Sequence, residues 1–311
     1  MSGKTDKPIN LVQIDQVVGD TNSDTELDYD LTSPDTLDEP IDNPQIGFDS
    51  EVSEKEESFV IYSDNRSLIT RPGSDVTVKG GKKHLQRMSE NLLLDVYDFQ
   101  EKRIVHPDME KYNILNTFRE IRTRILQQSG GKNQVIMVVS LQHGMGATFS
   151  AVNLAAAFSY EGEKTSLIVD CDQHRRKLEK FFGDNATYGL TDYLDDNNLG
   201  TEKIIYQTGI NRMRYIPVGK RRETVGEFFS SERMREFITH VKKRYSDRFI
   251  ILNAPPLEVT ADAAILSEVS DVIVLVVPYG KISTPRLKKA LRLIPREKIV
   301  GMVINDKVKY V

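Results

Sequence analysis

Five short apolar runs constrain this chain more than any other feature: "QVIMVVSL" (134–141), "TSLIVDCD" (165–172), "RFIILNAPP" (248–256), "DVIVLVVP" (271–278) and "KIVGMVIND" (298–306). Each has strand length, and Val, Ile and Leu fill it without the polar alternation of a half-wetted strand. Runs of this kind are buried on both faces, which in one sheet requires helices above and below. Helical patterns lie between them: "TFSAVNLAAAFSYEG", "SERMREFITHVKKRY", "ADAAILSEVS" and "STPRLKKALRLIP". "MRYIPVG" (213–219) reads as a further strand. "MEKYNILNTFREIRTRILQQ" (109–128) reads as a helix, with Tyr112, Leu115, Phe118, Ile121 and Ile125 at three- and four-residue spacing before "SGGKN" ends it. The expected fold is α/β: a mostly parallel, doubly wound sheet. Ligands of such sheets bind beyond the carboxyl ends of the strands. The polar residues that end the runs are therefore the candidates: Gln142 and His143, Asp170 and Asp172, Asn253, and Asn305 with Asp306.

The rest of the chain differs in composition. Residues 1–60 hold 16 acidic and 3 basic side chains, net −13, leaving +9 for the remainder of a chain whose net charge is −4. Residues 1–57 are rich in Asp, Ser, Thr and Pro and poor in large apolar groups, so an acidic arm without stable structure is expected. Its "LVQIDQVV" is more apolar and suits a short docking motif. Residues 58–105 read as a linker with a short strand ("SFVIYSDNRSLI") and a helix ("HLQRMSENLLLDVYDFQEKR"), and 106–311 as the folded domain. No run approaches the roughly 18–20 apolar residues of a membrane span. The single cysteine, Cys171, and the lack of a secretory signal point to the cytoplasm.

One loop carries recognisable chemistry. "VSLQHGMGATFSAVNLA" (139–155) runs from strand through Gly144 and Gly146 into a helix. Glycines let backbone amides wrap an anion, and the helix N-terminus that follows favours negative charge. Gly144, Gly146, Ala147 and Thr148 would form that cradle, with the Thr148 hydroxyl where a phosphate loop ligates Mg²⁺.

With these residues in place, the span 106–306 resembles the kinase domain of bacterial tyrosine kinases. These are deviant-Walker P-loop proteins, akin to partition and septum-site ATPases. The resemblance rests on the loop itself, on Asn153-Leu154-Ala155, on "LIVDCDQHRRKLEKFFG" (167–183), on "GLTDYL" (189–194), on "FIILNAPP" and on "VIND". It implies ATP or ADP with Mg²⁺, the metal near Thr148 and Asp170, Asp170 and Asp172 as the residues for any remaining activity, and Asn305 near adenine. It also implies an oligomer interface at "NTFREIR", which keeps Arg119 and Arg122 but has Asn116 for glutamate.

The departures bear directly on function. Ala147 stands where the loop lysine belongs, Gln142 where relatives carry a second signature lysine, and Asn253 where the third motif carries aspartate. The usual tyrosine-rich C-terminal cluster is reduced to Tyr310, with Tyr29 in the arm as another acceptor for phosphate. Alanine brings no charge to the phosphates, so nucleotide binding is expected to be weak or lost. The resemblance then implies a pseudokinase-like partner or regulator in extracellular or capsular polysaccharide biosynthesis or export. It would contact a membrane-embedded chain-length or export component at the inner face of the plasma membrane. It would also assemble with itself or with an active relative, and would not bind nucleic acid. Two alternatives stay open: an active tyrosine kinase or ATPase with a displaced lysine, for which Lys132 and Lys164 are the candidates, and a partition- or localisation-type ATPase.

Overall fold

A computed structural model describes residues 9–12, 94–109 and 112–305. These all belong to one compact unit formed by 1–25 and 81–311; a second unit, 26–80, lies outside the described residues, as do Asp306, Tyr310 and Tyr29. Among the described residues eight strands make one sheet: β1 (Ile9–Val12), β2 (Val135–Ser140), β3 (Thr165–Asp170), β4 (Tyr206–Gln207), β5 (Met213–Ile216), β6 (Arg248–Asn253), β7 (Val272–Pro278) and β8 (Ile299–Asn305). Their order is β1-β8-β7-β2-β6-β3-β5-β4. The six inner strands pair in parallel, and the two edges, β1 on β8 and β4 on β5, are antiparallel.

The helices are α1 (Val96–Lys102), α2 (Tyr112–Ser129), α3 (Ala147–Ser159), α4 (Glu179–Phe182), α5 (Leu190–Asp195), α6 (Val225–Ser230), α7 (Glu232–Arg244), α8 (Asp262–Val269) and α9 (Thr284–Ala290). Side chains of a strand alternate between faces, and the core divides accordingly. Val135, Met137 and Val139 join one apolar cluster, with Phe237, Leu266 and Leu287 from α7, α8 and α9. Ile136 and Val138 join the other, with Phe118 of α2 and Leu154 and Phe158 of α3. Burying a large apolar side chain contributes about 1.5–3 kcal/mol, so both layers are needed to hold strands that are apolar on both faces. Local signals agree with the packing. In α7, Met234, Phe237, Ile238 and Val241 are buried at helical spacing, and the Ser231 hydroxyl caps the helix by accepting from the Met234 amide at 3.2 Å.

Three features depart from the expected organisation. Ile9–Val12, inside the stretch expected to lack structure, pairs with β8. The expected helix over 82–103 is, among the described residues, only α1. It starts after Asp95, whose side chain and that of Asp98 cap each other's amides at 2.8 and 3.1 Å. The packed body also begins before residue 106, because Ile104 and Val105 are buried in the core. The "SFVIYSDNRSLI" strand lies outside the described residues.

Candidate functional site

β2 is the strand from which the chain crosses towards β3 on one side and, after β6, towards β7 on the other, so its carboxyl end opens where the connections diverge. There the chain leaves the sheet at Ser140, whose hydroxyl donates to the Gln142 carbonyl at 2.9 Å. The loop closes with Gly144 at φ 83° and Gly146 at φ 100°. Gly146 is required twice over: its φ is left-handed, and a Cβ there would collide with the Asn305 side-chain amide. Gly146 is also the N-cap of α3, and no side chain caps that helix. The first amides of α3 are therefore presented to whatever occupies the loop.

Around this loop lies a cavity of about 740 Å³. Gly144, Gly146, Ala147, Thr148, Asn305, His143 and Asp172 line it, so most of the residues expected from the sequence are brought together. Asn305 uses its amide on the loop itself, donating to the Met145 carbonyl at 3.0 Å. Gln142, the second absent-lysine position, is exposed, and its backbone N–H donates to Met145 Sδ at 3.3 Å.

Asp170 and Asn253 stand side by side in register at the ends of β3 and β6, fully buried, and neither lines the cavity. Asn253 Nδ2 donates to Asp170 Oδ1 at 2.9 Å, and the Asp172 amide donates to the same oxygen at 3.1 Å. Asp170 Oδ2 and Asn253 Oδ1 are buried with no partner. The pair thus holds two idle acceptors and is one donor short. Burial pushes the Asp170 carboxyl up to about 7, with the bonds from Asn253 and Asp172 opposing it. A proton on Asp170 supplies the missing donor. Cys171 between the two aspartates is a buried thiol that burial pushes further up, so it stays protonated.

The buried Asp170–Asn253 pair offers Mg²⁺ less charge than two ionised carboxylates would, which leaves Thr148 and Asp172 as the cavity-lining groups that could hold it. A hard cation wants charged oxygens. Here one carboxyl is sealed and held towards its neutral form, and its neighbour is an amide. Among the described residues no group of three His, Cys, Asp or Glu can hold a metal. Asp172 is the one carboxylate among the described residues that line the cavity, and Thr148 and Ser140 are the lining hydroxyl residues.

Residues that belong to no motif complete the cavity beside Asp172 and His143. Asp172, which accepts from the His174 amide at 3.1 Å, has His143 Nδ1 at 3.8 Å, so His143 has a partner in the fold. Burial nevertheless lowers the His143 pKa more than Asp172 raises it. Arg103, His106 and Lys177 line the cavity, as do Phe99, Phe149 and Phe181. Arg103 and His106 come from the segment that follows α1, which Asn153 ties to α3. The buried Asn153 side chain accepts from the Val105 amide at 2.7 Å and donates to the Arg103 and Phe149 carbonyls at 3.3 and 2.9 Å. The asparagine of "NLA" was visible in sequence, but two of its three partners, Arg103 and Val105, lie about fifty residues upstream.

Other candidates sit elsewhere. Lys164 directly precedes β3 and donates to the Gly131 carbonyl at 3.0 Å, and Lys132 lies three residues before the start of β2, so both stand at the opposite end of the sheet. Arg122 is committed within the chain, to the Ala157 carbonyl and Glu161 at 2.9 Å each. Asn116 and Arg119 are exposed on α2. Arg175 is exposed, and Arg176 pairs with Glu179 at 2.6 Å.

No family model matches the chain. The tyrosine-protein kinase CpsD of Streptococcus agalactiae is 30% identical over 192 residues, covering 60% of this chain and 81% of that protein. The tyrosine-protein kinase YwqD of Bacillus subtilis is 28% identical over 193 residues, covering 61% and 80%. The match to the tyrosine-protein kinase wzc of Salmonella typhimurium, at 25% identity, covers 27% of that longer protein. Among solved structures, the chimerical protein CapA2B2 superposes with a TM-score of 0.60 at 22% identity, covering 74% of this chain and 99% of that one. The kinase domain of the Escherichia coli tyrosine kinase ETK superposes at 0.57 with 19% identity, covering 76% and 97%. These structures share the fold.

Proposed function

Because the chain belongs to the bacterial tyrosine-protein kinase family, we propose that it is a catalytically impaired member, acting as a binding partner or regulator in the making or export of extracellular or capsular polysaccharide. The observation that carries this is the pairing of two losses at one centre. Ala147 occupies the lysine position on the cavity wall, and Asn253 is locked to Asp170 where the family has a second carboxylate. Phosphoryl transfer is mostly positioning and stabilisation of charge on the phosphates. Removing one preorganised donor to a transition state typically costs about 10²–10³ in rate, and here the metal shell is weakened as well.

What remains is shape. The loop, the sheet and the cavity persist, which suits a protein that is recognised by others. The role is assigned beside a membrane-embedded chain-length or export component, at the cytoplasmic face. An exposed face of α2 with Asn116, Arg119, Glu120, Thr123 and Arg124 is available for assembly with a copy or an active relative. Among the described residues no helix is long and apolar enough to cross a membrane, so attachment through a partner is part of the proposal. The reading with a displaced lysine loses its two candidates, since Lys132 and Lys164 are at the far end of the sheet.

Substituting Ala147→Lys and Asn253→Asp together tests this reading. Isothermal titration should then show tighter, Mg²⁺-dependent ATP binding than in the wild type. Tight Mg²⁺–ATP binding by the unmodified protein, with no gain in the double variant, would contradict it.

A further inference from the structure

Two basic runs meet on the surface of the sheet's carboxyl end. "HRRK" (174–177) follows β3, and "KRR" (220–222) follows β5. These strands are parallel neighbours, so both loops leave the sheet on the same side. A buried side chain then ties them together. Gln173 Nε2 donates to the Arg222 carbonyl, and Gln173 Oε1 accepts from the Arg222 amide, at 2.9 Å each. The second loop is also fixed from beneath. The buried Thr191 hydroxyl donates to the Lys220 carbonyl at 2.6 Å, and Asp192 Oδ2 accepts from the Lys220 amide at 3.3 Å.

Like charges repel, so two cationic loops stitched side by side call for negative charge nearby. The chain supplies it only in part. Arg176 pairs with Glu179 at 2.6 Å, and Arg222 with Asp195 at 2.7 Å. Arg175, Lys220 and Arg221 are exposed and form no ion pair among the described residues. None of these three lines the cavity at the phosphate loop. Arginines on a fixed backbone suit carboxylates, because the guanidinium fork can pair with both oxygens of one group. The surroundings favour a polypeptide over a nucleic acid. Asp195, held by Arg222, and Glu223, next in the chain, are exposed at the border of the patch. They confine the positive surface to a few side chains, whereas a nucleic acid presents evenly spaced phosphates that need an unbroken basic track. An acidic peptide can lay a few carboxylates on the patch and turn away.

We propose that these two loops form a docking surface for an acidic polypeptide segment of another protein, whose carboxylates pair with Arg175, Lys220 and Arg221. The surface stands apart from the phosphate loop, so the proposal holds or fails independently of the impaired-kinase reading.

The full chain is titrated, by fluorescence anisotropy, into three labelled probes: a glutamate-rich peptide, the same peptide with glutamine for every glutamate, and a single-stranded DNA of equal length. The glutamate peptide should bind, and more weakly as salt is raised. The glutamine peptide should not bind, and the DNA should bind less tightly than the glutamate peptide. Arg175→Gln, Lys220→Gln and Arg221→Gln should each weaken the glutamate peptide about two- to fivefold, as exposed charge pairs do, and the three together about tenfold or more. Lys132→Gln with Lys243→Gln is the control. It removes two exposed cations at the opposite end of the sheet and should leave binding within about twofold of the wild type. All five side chains are exposed, so the variants should fold, and thermal unfolding checks each. The comparison of probes on the wild type stands even if a variant misfolds. Four results overturn the proposal: no binding of the glutamate peptide, equal binding of the glutamine peptide, tighter binding of the DNA, or a folded triple variant that binds no more weakly than the control.

Discussion

Asp170→Asn makes the buried pair at the ends of β3 and β6 neutral at every pH. In the wild type the Asp170 carboxyl is fully buried, and burial moves its titration from 3.8 to about 7. Its folded-state pKa is therefore raised: the fold holds this proton more tightly than the unfolded chain does. The associated stability is fully present below about pH 4 and is lost as pH rises through about 7. Well above pH 7 the loss comes to about 4 kcal/mol, an upper figure because the site can relax. Asparagine cannot ionise, and it brings an N–H to a pair in which Asp170 Oδ2 and Asn253 Oδ1 have no partner. Urea unfolding of both proteins from pH 5 to pH 8 reads the effect as a difference, which cancels the other titrating groups. The variant should gain on the wild type as pH rises, ending about 2–4 kcal/mol ahead at pH 8. That corresponds to about 4–16 °C in Tm for a domain of this size. A variant no more stable than the wild type at pH 8, with a difference that does not change with pH, would contradict a protonated Asp170. It would mean that Asp170 stays ionised in the fold, as a metal site requires.

Two other changes probe the supports of the cavity. Asn153→Ala removes three hydrogen bonds of a buried side chain and should cost about 2–4 kcal/mol in urea unfolding; a loss below about 1 kcal/mol would show that the segment after α1 is held by packing alone. Gly146→Ala meets both a left-handed φ of 100° and the Asn305 amide, so it should cost about 1–3 kcal/mol. In an Asn305→Ala background the same substitution should cost measurably less, and strict additivity would deny the contact.

The inner sheet was legible because its strands are apolar on both faces, and only a helix-covered parallel sheet hides such strands. The phosphate loop was legible because its glycines fall between the clearest strand and the clearest helix. Less could be read where structure depends on distant partners. Nothing local in "INLV" announces pairing with β8. The edge strand β4 has two residues and no pattern of its own. Arg119 and Arg122 look alike in a helical repeat, yet three residues fall about 60° short of a full turn, which leaves one exposed and turns the other onto the end of α3. Lys132 and Lys164 could have been set aside from sequence: each lies just before a parallel strand, hence at the amino edge of the sheet, away from any ligand. Arg103, His106 and Lys177 belong to no motif, and only the fold brings them together.

On the proposed function, the phosphate loop has kept its form without its catalysis. Incubating the purified, unmodified chain with ATP and Mg²⁺ and mapping phosphotyrosine by mass spectrometry tests this most directly, Tyr310 and Tyr29 included. No phosphotyrosine above a nucleotide-free control is the predicted result; sustained, ATP-dependent phosphorylation of any tyrosine would contradict it.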